Sequence, residues 1–150
     1  MTRLRDILLS VLVLCCLVPA ASAQDLLIPM DEKQNDHLKA YGAVYAALQQ
    51  GQTVDWLLNY RGGSFLTTAT EALRQELRVR GVTFSTVGSG QAATIISKVE
   101  ADGSNMAVVP LEKAPKIAVY APDGAVPWDD AVRLALKYAD VPHDVIYDKE

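Results

Sequence analysis

Cysteine is nearly absent from this 150-residue chain: its two copies, Cys15 and Cys16, sit side by side in the only long apolar run, at the amino terminus. From Gln24 onward there is none, which excludes a disulfide, a thiolate-bound metal and a cysteine nucleophile from that stretch. Histidine is almost as scarce. His37 and His143 stand far apart without H-x-x-x-H or H-x-x-E-H spacing, so neither a metal site nor a cofactor is expected. A basic excess is missing as well, since 14 Lys plus Arg face 18 Asp plus Glu for a net charge of −4. That balance argues against nucleic acid as a partner. A single apolar run also excludes a multi-span membrane topology.

Residues 1 to 23 are a secretory leader in pattern. Arg3 and Arg5 precede an apolar stretch from Ile7 to Val18, and Ala21-Ser22-Ala23 follows as an A-x-A cleavage site. This 12-residue run falls short of the roughly 20 apolar residues needed to cross a bilayer. Cleavage is therefore expected between Ala23 and Gln24, giving an exported, periplasmic or secreted chain with no stable membrane span. Removing Arg3, Arg5 and Asp6 leaves 12 basic against 17 acidic residues.

Beyond the leader, short apolar runs alternate with amphipathic stretches. Strands are expected at Leu26–Met30, Thr53–Tyr60, Val82–Val87, Met106–Val109, Lys116–Tyr120 and Val145–Tyr147. Helices are expected from Asn35 to Gln50, from Ala69 to Arg80 with Thr68 and Glu71 as a capping box, through Ala92–Val99, and from Pro127 to Ala139. This alternation predicts an α/β fold, a three-layer, flavodoxin-like or amidotransferase-like sandwich around a mostly parallel sheet. A first α/β unit is expected over residues 24–112. Residues 113–150 then read as a connector and the start of a second unit that is incomplete.

Few residues invite chemistry. Arg61-Gly62-Gly63-Ser64 reads as a loop after a strand and before a helix, the junction at which doubly wound sheets bind ligands. Glycines let backbone N–H groups approach an anion, Arg61 offers a fork and Ser64 a hydroxyl, so these four residues are the candidate site for a small polar or anionic ligand. Asp129 and Asp130 fall in a first helical turn, where the helix dipole explains them better than acid–base catalysis. Tyr41, Tyr45, Trp56 and Trp128 suit a sugar site or an ordinary core. Thr70 and Ser85 have no identifiable His-Asp partners, and no catalytic residue is assigned.

The blocks Leu38–Gly42, Val54–Phe65, Leu111–Tyr120 and Pro127–Val132 resemble, in wording and order, a family of exported bacterial proteins labelled asparagine synthetase B. The resemblance implies a longer protein whose later part is a class I glutamine amidotransferase-like α/β domain opened by Lys116–Tyr147. It carries no catalytic residue to this chain. Position 2 is Thr2 where a glutamine-dependent synthetase has its nucleophilic cysteine, and Gly62-Gly63-Ser64 lacks the rest of the Ser-Gly-Gly-x-Asp-Ser loop that binds ATP.

Overall fold

The computed structural model describes residues 24–122 and 124–148, so the expected leader, Ala23 included, lies outside the described residues. The chain opens with β1 (Gln24–Ile28), α1 (His37–Gln49) and β2 (Val54–Leu58), then turns through a short 3-10 segment (Tyr60–Gly62) into β3 (Ser64–Thr68). It continues with α2 (Glu71–Val79), β4 (Ser85–Gly88), α3 (Ser89–Val99) and β5 (Ala107–Leu111). A second set follows: β6 (Ala118–Tyr120), a 3-10 turn (Pro127–Asp129), α4 (Ala131–Tyr138) and β7 (Asp144–Ile146).

The sheet is antiparallel, which corrects the expectation of a mostly parallel, flavodoxin-like or amidotransferase-like sandwich. Five strands lie in the order β4-β1-β3-β2-β5, and every neighbouring pair runs antiparallel. The physical reason is one hairpin. Ser64–Thr68 is expected to lead from a loop to the cap of a helix starting at Ala69, but it forms β3 and returns directly against β2, with Trp56 opposite Phe65. Strand β3 then inserts between β1 and β2, so each helical crossover skips a strand. The first four strands thereby adopt the split βαβ, or ferredoxin-like, plan. Among the described residues, parallel pairing is confined to β6 and β7, joined in register from Ala118↔Asp144 to Tyr120↔Ile146.

Alternation along each strand sends side chains to two faces. Leu26, Ile28, Val54 and Phe65 turn to one face, where they pack with Ala40, Ala43, Val44 and Ala47 of α1 and Leu73 and Leu77 of α2. Leu27, Leu57, Leu66 and Val87 turn to the other and meet Ala92, Ile95 and Val99 of α3. Leu26, Ile28, Leu57 and Leu77 are fully buried, each contributing about 1.5–3 kcal/mol of apolar transfer. Helix α2 is capped by Thr70, whose Oγ1 accepts from the Leu73 N–H at 3.2 Å. Thr68, expected in that role, ends β3 instead. Asp130 caps α4 by accepting from the N–H groups of Val132 and Arg133.

Helix α1 packs against both α2 and α4, so the β6–α4–β7 unit is docked against the first sheet's helical layer. The docking centres on Gly42. A Cβ there would stand 1.8 Å from the Ala139 carbonyl oxygen, an approach that only glycine permits. Around it lies a polar clasp. Lys39 Nζ meets Asp140 Oδ2 at 2.9 Å, Arg80 Nη1 donates to the Ala139 carbonyl and to Asp140, and the Tyr138 hydroxyl donates to Asp36. Two cations thus face the carboxyl end of α4, where the helix dipole is negative. The hydrogen bond from Lys39 holds Asp140 below the usual carboxylate range, and that from the Lys39 backbone N–H, with the Tyr138 hydroxyl, does the same for Asp36.

Gly42→Ala should therefore loosen the docking despite alanine's higher helix propensity. A loss on the order of 1–3 kcal/mol is expected, the usual cost of overpacking. Chemical denaturation should register it, with amide exchange in α4 rising more than in β1 or β3.

Candidate functional site

The loop expected to bind a ligand joins two strands, not a strand and a helix, and its polar groups serve the turn. Arg61 forms a fork on Asp31, Nε to Oδ2 at 2.8 Å and Nη2 to Oδ1 at 3.2 Å. This pairing holds the Asp31 carboxyl below its ordinary range. The Arg61 carbonyl accepts from the Met30 N–H. Ser64 is fully buried and its hydroxyl donates to the Tyr60 carbonyl at 2.8 Å. Arg61 itself sits at φ 48° and Asn59 at φ 59°, left-handed conformations that cost a non-glycine residue about 1–2 kcal/mol. Gly62, at φ 80°, carries a second constraint, because a Cβ would lie 2.2 Å from the Met30 carbonyl oxygen.

Gly63 links the turn to a larger feature. Its carbonyl accepts from Trp56 Nε1 at 3.0 Å, and a Cβ at position 63 would meet the same nitrogen at 3.2 Å. The indole is thereby fixed in one orientation against Phe65, with centroids 6.3 Å apart and planes 22° from parallel. Tyr41 meets Phe65 edge-on at 5.8 Å. These three rings form one wall of a cavity of about 370 Å³ between the sheet, α1 and the second unit. Leu111 of β5 and Lys113 of the connector close it, with Ile117, Leu136 and Val141 from the second unit.

The cavity has few polar groups to offer. Trp56 Nε1 is committed to Gly63, and the Tyr45 hydroxyl donates to the Pro115 carbonyl at 2.7 Å. Lys113 is the only charged residue among the described residues that line it. Its volume falls within the range of small-molecule sites. A sugar or a free amino acid, desolvated against such walls, would lose hydrogen bonds that nothing replaces. An apolar body with one anionic end would not.

The aromatic residues singled out in the sequence therefore divide. Tyr41, Tyr45 and Trp56 converge on the cavity, whereas Trp128 is 68% exposed and does not line it. His37 Nε2 rests against the Met30 carbonyl and His143 Nδ1 against that of Val141, so both imidazoles are engaged with backbone. Thr70 is a helix cap and Ser85 an exposed strand residue. Phe65, Leu111, Lys113 and the second-unit residues were missed in the sequence. The tandem runs Val54–Leu58 and Ser64–Thr68 around a Gly-Gly turn carried the hairpin signal that would have placed Phe65 beside Trp56.

Comparison with family models, with curated proteins and with solved structures returns no match.

A second, smaller cavity of about 200 Å³ lies on the opposite sheet face beneath Ala92, Ala93 and Ile96 of α3. Asp25, Asp55 and three threonines line it. Burial, with the charges of Asp25 and Glu100, raises the Asp55 carboxyl above its ordinary value. Among the described residues no three His, Cys, Asp or Glu side chains group to hold a metal ion.

Gly62→Ala should destabilise the fold by on the order of 3 kcal/mol, combining a left-handed backbone with a steric overlap, whereas Arg61→Ala should cost about 1 kcal/mol or less. Thermal unfolding of the two variants measures the contrast. Because the folded-state pKa of Asp55 is raised, its contribution to stability is fully present below the unfolded value near 3.8 and lost as pH rises through the folded value. Asp55→Asn should therefore be more stable than the parent at neutral pH, and urea titrations should show that margin vanishing in acid.

Proposed function

We propose that this chain is an exported, non-catalytic binding module whose ligand is a small apolar molecule with one anionic end, held in the cavity between its two units. The observation that carries this reading is the cavity itself: a wall of Tyr41, Trp56 and Phe65, its indole fixed by Gly63, with Lys113 as the single charge among the described lining residues. The Arg61–Ser64 loop enters the reading indirectly. Arg61 is occupied by Asp31, and Gly63 acts as a positioning residue through Trp56 rather than as a ligand contact. Export follows from the leader pattern of residues 1–23.

A second reading is favoured by one observation, the parallel pairing of β6 with β7 across α4. It makes residues 113–150 the opening of an amidotransferase-like domain, in line with the resemblance to the asparagine synthetase B-labelled family. The binding module would then be that domain's ligand-recognising neighbour, with any nucleophile outside the described residues.

The experiment uses Trp56 fluorescence in a Trp128→Phe background, since the chain has two tryptophans. Octanoate and decanoate should each give a saturable change, while glutamine and asparagine should give none. Lys113→Ala should weaken the two carboxylates by up to roughly fivefold, the worth of an exposed ion pair of about 1 kcal/mol, and leave a neutral analogue such as octanol unaffected. Saturable binding of glutamine with no response to the apolar acids would overturn the proposal in favour of the amidotransferase reading.

A further inference from the structure

We propose that Gln24, once released from Ala23, closes into an amino-terminal five-membered lactam, and that the Arg74 guanidinium promotes the closure. The inference rests on export and cleavage of the leader and is independent of the cavity.

Gln24 is the first residue of β1 and is exposed. Its side chain lies toward α2, where Arg74 Nη2 donates to Gln24 Oε1 at 2.9 Å. The guanidinium is itself anchored, because Nη1 donates to Thr86 Oγ1 of β4 at 2.6 Å. A cationic donor is thus held on the one carbonyl oxygen that must accept negative charge if the side-chain amide is attacked. Donors placed where charge develops lower the barrier to acyl transfer.

Hydrolysis of the Ala23–Gln24 bond creates the nucleophile on the same residue. The new α-amino group reaches Cδ of its own side chain through a five-membered ring and attacks as the neutral amine. Asp25, the adjacent carboxylate, lines the cavity on the other sheet face. Glu71 is the nearest acid to Arg74, with its oxygen 4.0 Å from Nε and its side chain 77% exposed.

The reaction balances within the residue. The α-nitrogen lone pair forms a bond to Cδ, and the carbonyl π electrons move onto Oε1 under the guanidinium. The tetrahedral centre then collapses with cleavage of the Cδ–Nε2 bond. A proton passes from the α-nitrogen to the departing nitrogen, and ammonia leaves. No oxidant, reductant or other reactant is consumed. The backbone carbonyl of Gln24, which accepts from the Ala69 N–H at 2.9 Å, is not part of the reacting amide. The product has no terminal charge and no free α-amine for an aminopeptidase.

The full chain, leader included, is expressed in a bacterial host, recovered from the exported fraction and analysed by mass spectrometry of the intact protein and its amino-terminal peptide. The expected peptide begins at residue 24 and is lighter by one ammonia than its sequence requires. Arg74→Ala should slow conversion of freshly exported protein severalfold while circular dichroism shows an unchanged fold. Gln24→Ser should be cleaved at the same bond and keep a free amine. A peptide beginning with uncyclised Gln24 that persists on incubation would overturn the lactam and leave export standing. A peptide beginning at any other residue would overturn both, and an unchanged rate in Arg74→Ala would remove the role given to the guanidinium.

Discussion

The carbonyl of Met30 presses against the α-carbon of Gly62, and the organisation of the larger sheet depends on that approach. It brings the end of β1 against the turn between β2 and β3, so that β3 can lie between them. Backbone strain at Asn59 and Arg61 is tolerated because the Asp31 fork, the Met30 N–H and the buried Ser64 hydroxyl over-determine the turn. Strain concentrated in a turn often marks a ligand site. Here its product is mechanical: a central strand in register and, through Gly63, an indole that cannot rotate away from Phe65.

A second glycine sets how the two units meet. Gly42 gives up helix propensity worth about 0.5–1 kcal/mol relative to alanine. In exchange, α4 approaches α1 closely enough for Lys39 and Arg80 to reach Ala139 and Asp140. The clasp holds one side of the junction, while the cavity lies where the connector and the second unit meet the aromatic wall. Ionised Asp36 and Asp140 belong to the clasped state, and the hydrogen bond to Asp36 raises the Tyr138 hydroxyl above its ordinary value. Both carboxylates lose their charge when pH falls below the ordinary carboxylate range, and Tyr138 loses its proton in strong alkali. The clasp is therefore weakened at both extremes.

Much of the local structure was legible in the sequence because local rules decide it. The apolar spacing of Leu38, Tyr41, Tyr45 and Leu48 marked α1, and Gly81 marked the end of α2. What could not be read was the return of the chain at Gly62-Gly63. The sequence Arg-Gly-Gly-Ser looks like any strand-to-helix loop, and Phe65–Thr68 runs straight into the α2 cap, so a five-residue strand passed for the entry to a helix. That single omission converts an antiparallel split βαβ sheet into an alternating parallel one, since strand direction follows from counting reversals. The cavity was illegible for a different reason. Its wall joins residues from α1, β2, β3 and a unit more than fifty residues further along, and no spacing rule connects Trp56 to Leu136.

Pro110 gives the two sheets different prospects. It stands in β5, at one margin of the five-stranded sheet, and the opposite margin, β4, is only four residues long. Neither border offers a long, regular row of hydrogen-bonding groups to a visiting strand. The β6–β7 pair has no proline and presents Tyr120, Val145 and Ile146 at 37–63% exposure. Recruitment of an additional strand is thus discouraged at the larger sheet and open at the smaller one, which confines the molecule's capacity for self-templating to its carboxyl-terminal end.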